Sequence, residues 1–240
     1  IHAFFDGMTD VIVRIVRWVL LLAPYAVFAL ITLVVADLGL GILGSLAKYA
    51  GVVVGGIAIM LFGVYPAMMA IFRSGVGYRR FFSATAPAQL LAFSSASSSA
   101  TLPVTMKVCR ENLRIRDDVA SFVLPIGATV NMDGTALYQG VATMFIAQLF
   151  GIELGLGEQL TIVLTATLAS IGTAGVPGVG IIMLVIVLQS VKIPAEVMAA
   201  GIGIIFSVDR ILDMCRTCCN VTGDMAVCTV VAASEGEIER

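Results

Sequence analysis

Ser94-Ser95-Ala96-Ser97-Ser98-Ser99-Ala100-Thr101-Leu102-Pro103 lies in the middle of an uncharged run from Phe81 to Met106. The run is long enough to cross a bilayer once, but a serine tract ending in proline is a poor centre for a spanning helix. Its flanks decide how it is read. Arg73, Arg79 and Arg80 precede it, and Lys107, Arg110, Arg114 and Arg116 follow it. Short loops rich in Lys and Arg stay in the cytoplasm, so a single crossing would strand one cluster on the wrong side. The segment is therefore expected to enter from the cytoplasm and return, a re-entrant hairpin with Ser97–Ser99 near its tip.

The bilayer itself follows from composition. The 240 residues are 59% apolar and only 12% charged, with a mean hydropathy of +1.03. Soluble domains carry about twice that charged fraction. Too little polar surface remains to cover a water-soluble globule, which excludes a disordered chain and a secreted disulfide scaffold. Lys+Arg 14 nearly balances Asp+Glu 16, so a basic nucleic-acid binder is excluded too. The chain begins at Ile1 without a short cleavable signal, so a fragment or a processed chain is expected.

Two plain spans come first. Arg17 to Asp37 brackets one, with Trp18 at its start and Pro24 as an expected kink; Lys48 to Arg73 brackets the other, where Gly51 and Gly55 would allow close helix contact. Between Glu158 and Lys192 runs the longest uncharged stretch, 33 residues, with Ser170-Ile171-Gly172-Thr173-Ala174-Gly175-Val176-Pro177-Gly178 in its middle. No helix continues unbroken through that tract. Its acidic flanks (Glu153, Glu158, Glu196) lack the cytoplasmic signature, so a second hairpin is expected from the opposite face. Matching Pro103 with Pro177 aligns the two tips faintly, as an inverted repeat would, and paired interrupted segments mark a transporter's binding site.

Each hairpin is followed by one more crossing. Asp117 to Phe150 carries Asn131-Met132-Asp133-Gly134 halfway along, where an unwound turn is favoured over continuous helix. Its freed carbonyls with Asn131 and Asp133 would offer hard oxygen ligands, and the following half-helix would favour an anion. A glycine hinge without a ligand is the plainer alternative. On the final segment Asp209, Asp213, Arg216, Asn220 and Asp224 are spaced 4, 3, 4 and 4, one polar stripe on an apolar helix with Arg210 at its edge. With Asp133, six ionisable groups facing lipid would cost roughly 15–21 kcal/mol. They must face one another or a cavity. One alternative is an ion-pair ladder, Asp209 with Arg210 and Asp213 with Arg216; the other is a site.

An arginine supplies a fork for a carboxylate, an aspartate one turn earlier suits an ammonium, and Asn220 adds a donor and an acceptor. That describes a pocket for an acidic amino acid. Carrying such an anion inward costs about 2.3 kcal/mol per charge per 100 mV, so coupled cations are needed, with Asp133 and Asp224 as candidates to hold them. His2 is the single histidine, which leaves no Ser-His or Cys-His nucleophile pair. Cys215, Cys218 and Cys219 are expected to pack in a reducing compartment and not to bind metal. An intramembrane aspartyl protease built on Asp133 and Asp213 lacks a Gly-x-Gly-Asp context, and a passive channel would not need an Arg–Asp pair matched to a zwitterion.

Four tracts, Ser97–Met106, Asn131–Tyr138, Ala169–Gly178 and Asp213–Asp224, resemble in order the dicarboxylate/amino acid:cation symporter family, that of excitatory amino acid transporters and their prokaryotic homologues. The resemblance implies an all-α integral membrane protein: transmembrane helices, two oppositely oriented re-entrant hairpins and a broken helix, forming an inverted repeat that works as an elevator. Residues 1–76 would be two scaffold-side helices and 77–240 the transport core. The core would hold the cytoplasmic-side hairpin 77–110, the broken helix 115–151, the extracellular gate hairpin 157–191 and the last helix 195–235. It implies a homotrimer in the cell (inner or plasma) membrane, multi-pass, bound to lipid and not to nucleic acid, and a symporter and not an enzyme.

By that resemblance Arg216 would hold the substrate's side-chain carboxylate and Asp213 its amino group, with Thr135, Asn220, Ser98, Thr217 and the backbone at Ala96 and Val176 completing the shell. One sodium ion (Na+) would sit with Gly127, Asn131, Asn220 and Asp224. A second would use Thr129, Ser170, Ile171, Thr173 and the sulfur of Met132, and a third Asp133 and the Asn131 side chain. The family's N-terminal spans are missing from this chain. The arginine that family members carry before the serine triplet or after the stripe's second aspartate is replaced here by Ala96 and Met214, and Arg210 is the candidate substitute. Gln139 stands where animal members use a glutamate, so sodium is expected as the main driver, without potassium countertransport. L-aspartate and/or L-glutamate uptake is the expected function, and a proton- or sodium-coupled C4-dicarboxylate symporter the alternative, which Asp213 disfavours by repelling a second carboxylate.

Overall fold

Apolar sequence without breakers becomes helix, and the breaks fall where glycine, proline or serine interrupt it. The computed structural model describes residues 7–8, 11, 14–15, 18 and 21–238; the readings that rest on Ile1, His2 and Arg17 lie outside the described residues. Within them the chain is all-helical. Its elements are α1 (Ala23–Leu38), α2 (Gly41–Ile59), a π-helical turn (Met60–Val64) running into α3 (Tyr65–Ile71), α4 (Tyr78–Ser95) and α5 (Ser98–Glu111). Then follow α6 (Asp117–Val130), α7 (Asp133–Leu149), α8 (Leu156–Ile171), α9 (Val179–Ser190) and α10 (Ala195–Glu235). No strand occurs among the described residues, only an isolated bridge between Ile115 and Ile238.

The prolines and glycines singled out in the sequence have definite places in the fold. Pro24 lies in the first turn of α1, directly after the turn at Leu22, where its fixed φ and missing N–H are tolerated. Gly51 and Gly55 make no close helix contact, since a Cβ at either would meet nothing within 4 Å. The tight approach is at Gly56, where a Cβ would come within 2.9 Å of Leu137 Cδ1. Finally, the proline-to-proline alignment of the two tips does not carry over: Pro103 is inside α5, while Pro177 lies in the break between α8 and α9.

Gly41–Ile71 is long and apolar enough to cross a membrane, and the 16 residues of α8 and 12 of α9 are shorter apolar helices. Large apolar side chains cover the outward faces: Phe28, Leu33, Ile59, Phe62, Leu90, Phe122, Leu160, Val163, Leu164, Leu168, Ile182 and Ile211 are all exposed. Exposed apolar area on that scale is the surface of a protein whose solvent is lipid.

The interior is organised by α10, 41 residues and about 60 Å long. Leu212, Cys219, Val221, Met225, Ala226, Cys228 and Ala232 on it are fully or almost fully buried. It packs against α1 to α7 and α9. Around it α4 packs on α5 and α8 on α9, two helical pairs each joined by a short break. At the far end Arg116 Nη1 binds Glu237 Oε2 at 2.7 Å, and the Arg116 N–H donates to the Glu237 carbonyl at 3.2 Å.

Candidate functional site

Three breaks converge on the middle of α10. In the first, Ala96 ends α4 in the left-handed region (φ 51°), and Ser97 caps α5 by accepting the Ala100 N–H at 3.1 Å. In the second, α8 ends at Ile171 and α9 begins after Gly178, whose φ of 78° suits a residue without a Cβ. The breaks touch: the Gly175 carbonyl accepts from Ser97 Oγ at 2.6 Å and from the Ser99 N–H at 3.1 Å.

The third break, Asn131–Met132, separates α6 from α7. Asn220 repairs it from α10: its Oδ1 accepts the Gly134 N–H at 2.8 Å, and its Nδ2 donates to Met132 Sδ and to Thr135 Oγ1, each at 3.2 Å. Gly134 lets α7 approach this closely, because a Cβ there would sit 2.9 Å from the Arg216 carbonyl oxygen.

Where the breaks meet lies a cavity of about 20 Å³, walled by Ala96, Ser98, Met132, Thr135, Thr173, Ala174, Gly175, Val176, Val179, Gly180, Asp213, Thr217 and Asn220. Ala96, Ser98, Thr135, Val176, Asp213, Thr217 and Asn220, seven of the eight expected substrate residues, are in that wall. Its volume suits about one water.

The eighth, Arg216, is 1% exposed and stands behind the wall. Its Nη2 binds Asp213 Oδ1 at 2.7 Å and its Nη1 binds Asp209 Oδ1 at 2.8 Å. Its guanidinium carbon lies 3.7 Å from the centroid of the Tyr138 ring, and its Nε is buried without a hydrogen-bond partner. This corrects the ladder pairing read from the sequence: Asp209 pairs with Arg216, one full turn pair along the same face, and not with its neighbour Arg210. Adjacent residues on a helix point about 100° apart, whereas positions 209, 213 and 216 share a face. Asp213 Oδ2 also accepts the Gly178 N–H at 2.9 Å, tying the second break to the stripe.

The sequence model of the sodium:dicarboxylate symporter family matches residues 1–234. The chain belongs to this family. It is 38% identical over 98% of its length to the proton/sodium-glutamate symport protein of Bacillus subtilis, and covers 53% of that relative. It is 41% identical over 92% of its length to excitatory amino acid transporter 3 of Homo sapiens, covering 41% of it. A putative sodium-dependent excitatory amino acid transporter of Caenorhabditis elegans is 39% identical over 95% of the chain and 45% of the relative. The chain thus spans about half the length, or less, of the curated relatives it matches.

Against this family background the candidate ion ligands fall into distinguishable groups. Asn131 Nδ2 donates to Asp224 Oδ1 at 3.0 Å and to the Asn220 carbonyl at 3.5 Å, and a Cβ on Gly127 would meet Asp224 Oδ1 at 2.7 Å. Gly127, Asn131, Asn220 and Asp224 are therefore together, and they are oxygen-rich. Asp133 turns elsewhere: its Oδ2 accepts the Tyr65 hydroxyl, and its Oδ1 the Gly134 N–H at 2.9 Å. Gly223 lies between the two, since a Cβ there would touch both Asn131 Nδ2 and Tyr65 Oη.

In the remaining group Ser170 and Thr173 are buried, and Met132 Sδ is held by Asn220. Thr129 and Ile171 are exposed, with Thr129 Oγ1 bonded to the Ile126 carbonyl. The Ala128 carbonyl lies beside Gly175, so α6 meets the second break here.

Sequence reasoning missed three participants. Tyr138 could have been found, since it is one turn after Thr135 on the same face of α7. Asp209 was seen in the stripe but not as a site residue. Tyr65 had no signal, because its partner Asp133 is 68 residues away. Cys219, read as a packing residue, has its Sγ 3.3 Å from the Tyr65 hydroxyl.

Proposed function

We propose that this chain is the substrate- and ion-binding part of a secondary active symporter that takes up L-aspartate and/or L-glutamate with sodium ions. One observation carries the reading: three separate helix breaks meet around one polar cavity that Asp213 lines and Arg216 backs, in the middle of a molecule with a lipid-facing surface. The relatives named as glutamate symporters and excitatory amino acid transporters support the same substrate class.

In this reading α4–α5 and α8–α9 are re-entrant hairpins from opposite faces, and residues 77–240 form a transport core that moves as an elevator. Residues 1–76 stand on the scaffold side. The assembly is a homotrimer in the plasma or inner membrane. The second break parts to admit substrate, Gly178 releases Asp213, and the freed Asp213 oxygen takes the ammonium. Arg216 turns its fork to the side-chain carboxylate, and its unused Nε offers a further donor. Thr135, Thr217, Asn220, Ser98 and the backbone at Ala96 and Val176 hold the remaining polar atoms.

Sodium fits the donor sets by chemistry. Gly127, Asn131, Asn220 and Asp224 would hold one ion. Thr129, Met132, Ser170, Ile171 and Thr173 would hold a second, and Asp133 with Asn131 a third. Bound ions neutralise the carboxylates of Asp133 and Asp224 and so couple charge movement to uptake. Gln139 carries no proton to exchange, which makes sodium the main driver.

Titrating the full-length protein with L-aspartate and L-glutamate, with and without sodium, tests this. Saturable binding that requires sodium is expected, with succinate a poor competitor. Binding indifferent to sodium would overturn the reading, and succinate displacing aspartate at equal concentration would replace it with C4-dicarboxylate transport.

A further inference from the structure

The ion-pair cluster at the site does not balance. Asp209 and Asp213, 4% and 7% exposed, face one guanidinium, that of Arg216, which leaves one uncompensated negative charge in the interior. A site in that condition repels an anionic guest before any contact is made.

A second cavity lies on the other side of the same carboxylates. It has a volume of about 310 Å³, and Asp209, Arg210 and Asp213 line it together with Leu22 and Leu30 near α1 and Pro177 and Gly178 of the second break. Asp213 is therefore a partition between the two cavities. Arg210 is half-buried on the far side, one turn before Asp213, and makes no ion pair among the described residues.

Among the described residues, the other groups facing the cluster carry no formal charge. Leu22, Ala26, Val27 and Leu30 face it near α1, Pro177 and Gly178 at the second break, Phe206 on α10 itself, and the Tyr138 ring on α7. Arg210 is the one cation among the described residues that shares a cavity with both carboxylates.

We propose that Arg210 is the charge-balancing residue that lets the site accept a net-negative amino acid. It rests on the functional reading above and extends it to the selection of acidic over neutral side chains. Asp209, Arg210, Asp213 and Arg216 together sum to zero. An acidic amino acid then enters a neutral cluster instead of one already carrying a negative charge. Arg210 does this through space, from behind Asp213, and does not touch the substrate. Its apolar surroundings lower the local dielectric and strengthen the effect.

The test is sodium-dependent binding of L-aspartate and of its neutral isostere L-asparagine to the full-length protein. Arg210→Ala is expected to weaken L-aspartate about tenfold or more while leaving L-asparagine nearly unchanged. Arg210→Lys is expected to keep the wild-type ratio. Adding Asp209→Asn to Arg210→Ala restores the balance of charge and is expected to recover most of the lost aspartate affinity.

Equal loss of both ligands in Arg210→Ala, with no recovery in the double variant, would reduce Arg210 to a packing residue and overturn the proposal. So would an unchanged ratio in Arg210→Ala. Wild-type protein that binds neither L-aspartate nor L-glutamate in sodium would instead overturn the functional reading beneath it.

Discussion

The two breaks that meet over the site are built differently. The first is a single turn of the chain at Ala96, closed by its own Ser97 cap and by the Ser95 hydroxyl, which accepts the Ser97 N–H at 3.2 Å. The second runs seven residues from Gly172 to Gly178, and α9 starts without a side-chain cap. Its ties to the core are borrowed: the Gly175 carbonyl takes two donors from the first break, and the Gly178 N–H donates to Asp213. A break that supplies its own partners is a fixed wall. One held by its neighbours is only as firm as those ties, and here one of those neighbours is the proposed ammonium-binding carboxylate.

Substitutions at the borrowed ties should break this contrast hardest. Asp213→Asn weakens the charged bond to Arg216, which Asp209 still pairs, and the anchor of Gly178, at about 1.5–3 kcal/mol. Thermal unfolding should fall, and backbone amides 174–179 should exchange faster while 96–99 stay protected; equal loss of protection at both breaks would refute the contrast. Gly175→Ala comes next, because its Cβ would sit 2.7 Å from Ser99 Oγ and 3.0 Å from the Ser99 nitrogen. Wedging the two breaks apart should cost about 1–3 kcal/mol and weaken substrate binding, read by calorimetry and by titration.

Ser97→Ala loses a cap and one bond to Gly175, roughly 1–2 kcal/mol, and should loosen the second break as well as the first. Its exchange pattern sharpens the comparison, since loss of protection at 174–179 along with 96–99 marks the second break as leaning on the first. Ser94→Ala is the smallest change. That serine is exposed and bonds within its own helix, to the Leu91 carbonyl, so stability should stay within about 0.5 kcal/mol.

Much of this was readable from residue order. The polar stripe of α10 follows from spacing at 100° per residue, and the break at Asn131–Met132 from an Asn-x-Asp-Gly tract that offers the backbone other partners. The two hairpin breaks follow from Ser, Gly and Pro in runs otherwise fit for helix. Less legible was where within a tract the helix stops. The tip expected near Ser97–Ser99 falls at Ala96–Ser97, because the Ser97 cap and the contact with Gly175 fix the turn there, while Pro103 is accommodated inside α5.

Spacing along the chain thus determined which residues share a face and which segments cannot remain helical, since both are properties of a helix's own geometry. Partner choice needed the fold. That Asp209 joins Arg216, that Tyr65 reaches Asp133 and that Arg210 looks into a different cavity from the one it serves all depend on how side chains far apart in sequence are brought together, a matter of packing around α10 that no local pattern encodes.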